Sequence, residues 1–233
     1  MLMNMSSPHS NEQEKCFPLG STLSLRLKHG CANWKSEVTI IKLIQPVTIS
    51  PVMEVMLQTE SGLETKAILK LYDRRFVTGL RREVEVEPWT PATEENYKQY
   101  ILQSRADELF EILNEPLDNE ESSDSDSDDE EERDANLKMH QKEGFMHYYS
   151  CKLYSSEVRA YESLRDLQEQ MIPKFLASVC LPSPDTDIPE QFRKYFDIRG
   201  ILIEYIERFS LSNLETKASK LSQVAISWPG RIF

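Results

Sequence analysis

The chain has 233 residues, with 27 Lys and Arg against 39 Asp and Glu, for a formal net charge of −12. That length holds one large domain or two small ones. The charge is uneven: between Asp118 and Asp134 stand eleven acids and one arginine, a local charge of −10, so the rest of the chain sums to about −2, ordinary for a folded domain.

Several classes drop out on pattern alone. No run approaches the roughly 18 apolar residues of a membrane helix; Val38–Ile44 and Ile198–Ile206 come nearest, and Lys42, Arg199 and Glu204 interrupt them. The first fifteen residues have neither the basic start nor the apolar stretch of a secretory signal. Cys16, Cys31, Cys151 and Cys180 form no CxxC pair and fit thiols in a reducing compartment. A basic nucleic-acid footprint is missing. The expectation is an intracellular protein of cytoplasm or nucleus, with no membrane and no nucleic acid as partner.

In chain order, residues 1–19 are polar and aperiodic and read as a disordered lead-in. Short β-type segments follow: Leu23, Leu25 and Leu27 alternate with polar residues, and Val38–Gln45 is rich in branched side chains. Val52–Gln58 and Lys66–Asp73 flank Ser61-Gly62 and predict an antiparallel hairpin. Pro91 and Thr93 precede Glu94 and Glu95 as a helix start, with Tyr97, Ile101, Leu109 and Leu113 at helical spacing until Pro116. After the acidic tract order returns near Phe145, and Ser155–Gln170 predicts the clearest helix, with Val158, Tyr161, Leu164 and Leu167 on one face. Phe175–Cys180 and Gly200–Ile206 predict two more strands, joined by a loop with Pro182, Pro184 and Pro189. A short helix over about Ser210–Leu221 precedes the tail VAISWPGRIF.

This order places chemistry. Lys70 sits mid-strand in an apolar context, and Glu157 sits in the first turn of the predicted helix. A strand lysine facing a cleft can neutralise phosphate oxygens, and a helix glutamate opposite would hold its ammonium. The extended backbone of Leu202–Ile206 could bind the edge of a base. Alone, each signal is weak: a lone strand lysine is more often solvated, and a helix glutamate is usually surface. The ordered set says more.

The chain resembles the small lobe of protein-kinase-like proteins abundant in filamentous fungi, within the kinase and aminoglycoside-phosphotransferase-like fold. The resemblance is carried by Ser50-Pro51-Val52, by Leu69-Lys70-Leu71-Tyr72-Asp73-Arg74-Arg75-Phe76, by Glu157 with Tyr161-Glu162-Ser163-Leu164, and by Arg199 to Ile206. It covers about residues 20–90 and 145–215. It implies an α+β fold, a kinase-like N-lobe with an antiparallel sheet of about five strands and one major helix, over residues 20–215. An insert at 91–144 would interrupt it, with the acidic tract 118–134 as a disordered core, and 216–233 would form an atypical tail. It also implies ATP with magnesium as ligand, Lys70 on the phosphates, Glu157 as its helix partner, and Glu204 to Ile206 as the hinge touching adenine through backbone.

Departures from that pattern bear on activity. No GxGxxG loop is present; Gln45-Pro46-Val47-Thr48-Ile49-Ser50-Pro51 holds its place, and a backbone without glycine approaches phosphate less closely. Arg208 stands where such sequences often carry a small residue. Phosphoryl transfer needs a catalytic Asp, an Asn and a magnesium-binding Asp. Arg165-Asp166-Leu167 lacks the preceding His, and Asp197-Ile198-Arg199-Gly200 is no DFG. The reading is a truncated, catalytically inactive pseudokinase, a shortened gene product or degenerate paralogue. The alternative is a non-catalytic interaction protein that offers Asp118–Asp134 to a basic partner protein. Within that tract Ser123, Ser125 and Ser127 each have an acid three residues on, which suits an acidophilic kinase. His147 and Cys151 lie four apart, too few ligands for zinc, and Trp34 and Trp89 read as core or loop anchors.

Overall fold

The computed structural model describes residues 15–45, 47, 49–58, 64–83, 85–103 and 139–207. Six strands, β1 (Thr22–His29), β2 (Ala32–Ile44), β3 (Val52–Gln58), β4 (Glu64–Tyr72), β5 (Phe175–Leu181) and β6 (Ile198–Glu204), carry the architecture. Their side chains alternate between two faces, as a pleated strand requires. Leu25, Val38, Met53, Leu69, Val179 and Leu202, one from each strand, point inward and are 3% exposed or less. Gly30, at φ 57°, opens the two-residue turn between β1 and β2, a position that favours glycine. Antiparallel pairing of β3 with β4 runs from Val52 opposite Lys70 to Gln58 opposite Glu64, the hairpin that the sequence predicts.

The strands run in the order β1-β2-β3-β4-β6-β5 and close on themselves. This corrects the expected α+β fold class: the structure is a closed six-stranded antiparallel barrel, not the open five-stranded sheet of a kinase-like N-lobe with a major helix. The physical reason is the double pairing of β1. One edge meets β2 over its whole length, and the other meets β5, with Arg26 opposite Cys180 and Lys28 opposite Ser178. Register shifts at Ile40/Lys42 and at Phe175/Ala177 supply the local bends that closure needs. Closure also pairs the last free row of N–H and C=O groups, which an open sheet would leave exposed.

Among the described residues three helices pack outside the barrel: α1 (Thr78–Glu83), α2 (Pro91–Leu102) and α3 (Met139–Ser163). α2 starts at Thr90, whose hydroxyl accepts from Thr93 N at 3.2 Å while Thr93 Oγ1 accepts from Thr90 N at 2.9 Å, with Pro91 in the first turn. Tyr97, Tyr100 and Ile101 of α2 pack with Tyr195 in a second apolar cluster. α3 begins sixteen residues before the predicted start and stops seven before the predicted end; a 3₁₀ turn (Arg165–Leu167) and a left-handed Glu169 follow it. Its buried positions include Glu143, Met146 and Ser150, whereas Leu164 and Leu167, expected on the apolar face, are 42% and 38% exposed.

Of the expected disordered lead-in 1–19, Phe17 is buried, 5.8 Å from the ring of Phe76. The tract Asp118–Asp134, Leu109, Leu113, the helix expected over about Ser210–Leu221 and the tail 216–233 lie outside the described residues. Among the described residues no helix is long and apolar enough to cross a membrane.

Candidate functional site

Alternation along β4 decides where its lysine goes. Ala67, Leu69 and Leu71 are fully buried inside the barrel, so Ile68, Lys70 and Tyr72 face outward, toward α3. There Lys70 Nζ lies 2.5 Å from Glu157 Oε2, joining residues 87 apart in sequence. Both side chains are partly covered, at 26% and 29% exposure. The Tyr72 hydroxyl donates to the same carboxylate oxygen, and the Lys70 ammonium stands 5.2 Å from the centre of the Tyr72 ring. Burial and the Glu157 bond together hold the Tyr72 phenol protonated, far above its ordinary range. One turn before Glu157, Tyr154 packs edge-on against Tyr72 at 5.8 Å, with the Arg199 guanidinium 5.9 Å from the Tyr154 ring.

Lys70 is flanked across the sheet by Val52 of β3 and by Ile201 of β6, and Ile68 is flanked by Ile203. Val52, Ile68 and Ile203 are half-buried, so a shallow apolar surface adjoins the cation. The other two predicted site residues lie at the end of β6. Glu204 pairs with Ala67, its amide donates to Lys174 O at 2.9 Å, and its carboxylate accepts from Lys174 N at 3.0 Å. Its main chain is therefore engaged in the fold. Ile206 lies beyond the ladder and is 45% exposed. The structure thus brings Lys70 and Glu157 into contact and leaves Glu204 and Ile206 at the strand end. No family model, curated protein or solved structure matches this chain.

Next to the lysine lies a buried charge network that the sequence did not announce. Glu143 of α3, 1% exposed, accepts from Arg74 Nη1 at 2.7 Å and from Arg81 Nη1 and Nη2 at 2.7 and 2.9 Å. Arg74 also donates to Glu94 at 2.6 Å, and its guanidinium lies 3.9 Å from the Tyr97 ring. The network ties the end of β4 to all three helices. Asp73 caps the 3₁₀ turn Arg74–Phe76 and is clasped by Arg75. Only the run of charged residues after Tyr72 hints at it. Trp89 joins through its indole N–H to Glu94, at 2.8 Å, whereas Trp34 is 41% exposed.

The remaining sequence candidates have structural places. Arg165-Asp166-Leu167 forms an exposed 3₁₀ turn. Asp197 pairs with Arg26 and accepts from Ser183 N at 3.0 Å. Cys151 Sγ lies 3.5 Å from His147 Nε2, and no group of three metal-ligating side chains occurs among the described residues.

His147 packs between Tyr97 and Tyr195. Burial, then the nearby Arg74 and Arg199, push its pKa down to about 3. The unfolded chain takes up that proton near pH 6.5, the fold does not, so the stability it contributes is present above about pH 6.5 and is lost as pH falls toward 3. Urea unfolding at pH 7 and pH 5.5 is expected to show wild type losing about 1 kcal/mol more than His147→Gln over that interval. An equal loss in the two proteins would refute the assignment.

Proposed function

We propose that this chain binds a nucleoside triphosphate without transferring its phosphate, as an inactive nucleotide-binding module of a phosphotransferase lineage. The observation that carries the reading is the Lys70–Glu157 ion pair. An ammonium is a compact charge suited to phosphate oxygens. Here it is held on one side by a carboxylate, which the Tyr72 hydroxyl fixes in turn. The half-buried Val52, Ile68 and Ile203 offer a flat apolar surface to a base, and the backbone past Glu204, at Ile206, is the part left to meet its polar edge.

Among the described residues no three candidate metal ligands cluster. Magnesium would arrive on the triphosphate. The sequence also carries no HRD or DFG motif to place a base or a second metal-binding carboxylate.

A thermal-shift titration of the full chain with Mg-ATP tests the reading. At a hundred times Kd, ligand binding stabilises by about 2.7 kcal/mol, a rise in Tm of several degrees. Lys70→Ala is expected to weaken the nucleotide at least about ten-fold, the size of a lost charge-assisted contact. No shift in wild type, or an equal shift in Lys70→Ala, would overturn it.

A further inference from the structure

The barrel register assembles a cationic row beside, and distinct from, the Lys70–Glu157 ion pair. Lys35 of β2 stands directly opposite Arg26 of β1, Arg26 opposite Cys180 of β5, and Cys180 opposite Arg199 of β6. Lys28 stands two residues along β1 from Arg26, on the same outward face. These four cations, with Trp34 and Tyr154, line a groove of about 420 Å³. A second hollow of about 640 Å³ shares Arg199 and adds Lys152, Arg159 and Lys194. Seven cations therefore line two hollows joined at Arg199, and no Asp or Glu is among the lining residues of either.

Like charges directly opposite on neighbouring strands repel, and Arg26 faces Lys35 across β1 and β2. Asp197 offsets Arg26, but Lys28, Lys35 and Arg159 meet no carboxylate among the described residues. Arg199 and Lys152 lie over the rings of Tyr154 and Tyr148 instead. In the larger cleft beside α2, Lys98 pairs with Asp185, Arg75 with Asp73 and Arg74 with Glu94. Cations such as Lys28, Lys35 and Arg159, which no carboxylate of the described residues meets, attract and orient an anionic partner.

We propose that this face is a docking groove for an extended acidic peptide of another protein, rich in Asp, Glu or phosphoserine. Neighbouring strands lie about 4.8 Å apart, which places Arg26 about 5 Å from Lys35 and about 10 Å from Arg199. Carboxylates on every second or third residue of an extended peptide match those intervals at about 3.3 Å per residue. Single-stranded nucleic acid calls for a series of free ring platforms. Tyr154 is already engaged by Tyr72 and Arg199, which leaves Trp34 as the exposed ring of the groove.

Fluorescence anisotropy of a labelled Asp-Ser repeat peptide, with and without phosphoserine, tests the assignment on the full chain. Wild type is expected to bind the phosphorylated form more tightly, and binding should weaken several-fold between about 0.05 and 0.2 M salt. The double variant K28E/K35E, altering two exposed side chains, should bind about ten-fold more weakly. Lys35→Glu should melt no lower than wild type, since it turns the repulsion with Arg26 into attraction. Lys70→Ala should leave peptide affinity unchanged, which keeps this result separate from the nucleotide result. Equal affinity of wild type and K28E/K35E overturns the proposal, and so does an oligothymidylate that binds more tightly than the peptide.

Discussion

Replacing Glu143 by Ala is expected to destabilise the protein by about 3–5 kcal/mol, the cost of stranding buried charge. The carboxylate is 1% exposed and takes three hydrogen bonds from two guanidinium groups that are themselves buried. Removing it leaves two cations facing each other out of water. Arg74 keeps Glu94 and the Tyr97 ring, but Arg81 keeps only carbonyl partners, and its Nε already has none. Removing the pair is milder than breaking it. R81M/E143M should lose less than Glu143→Ala, because apolar chains of similar volume carry no charge to strand. Urea unfolding of the three proteins checks the order, and a Glu143→Ala loss under about 1 kcal/mol would contradict it.

The second large effect is expected at Gly200. It lies in β6 between Leu71 and Val179, and an added Cβ would stand 2.5 Å from the carbonyl oxygen of Lys70 and 2.8 Å from a methyl carbon of each neighbour. A side chain can rotate away, but the Lys70 carbonyl belongs to the ladder and cannot move without separating β4 from β6. Gly200→Ala should therefore lose about 3 kcal/mol, at the upper end for overpacked cores, and Gly200→Val more. Because the clash is with the backbone of Lys70, any nucleotide-induced rise in Tm should shrink as well. A Gly200→Ala protein as stable as wild type would contradict this.

How much of the fold and the site was legible in the sequence depends on the range of the interaction. The Leu23, Leu25, Leu27 alternation and the hairpin around Val52–Gln58 were readable, because a strand shows its two faces at a period of two. Closure was not. It depends on which edges meet, and a period carries no information about Arg26 finding Cys180 across 154 positions. The helix bounds failed for a different reason. Amphipathic spacing favoured Val158, Tyr161, Leu164 and Leu167, yet the buried positions of α3 include Glu143 and Ser150, polar residues that look like solvent-facing ones. Sequence order suggested Lys70 and Glu157 as partners, and the structure holds them in contact. Tyr72 and Tyr154, which fix that contact, belong to no motif and emerge only from the packing of α3 on β4.

The late pairing of β1 also governs how the chain is made. β1 leaves the ribosome before its second neighbour, β5, which follows only after Phe175 is synthesised. At about 5–20 residues per second, the interval is roughly 7–30 seconds, during which one edge of β1 stays open to any other nascent strand. Arg26 and Lys28 lie on that edge, where charge discourages pairing between copies until β5 arrives.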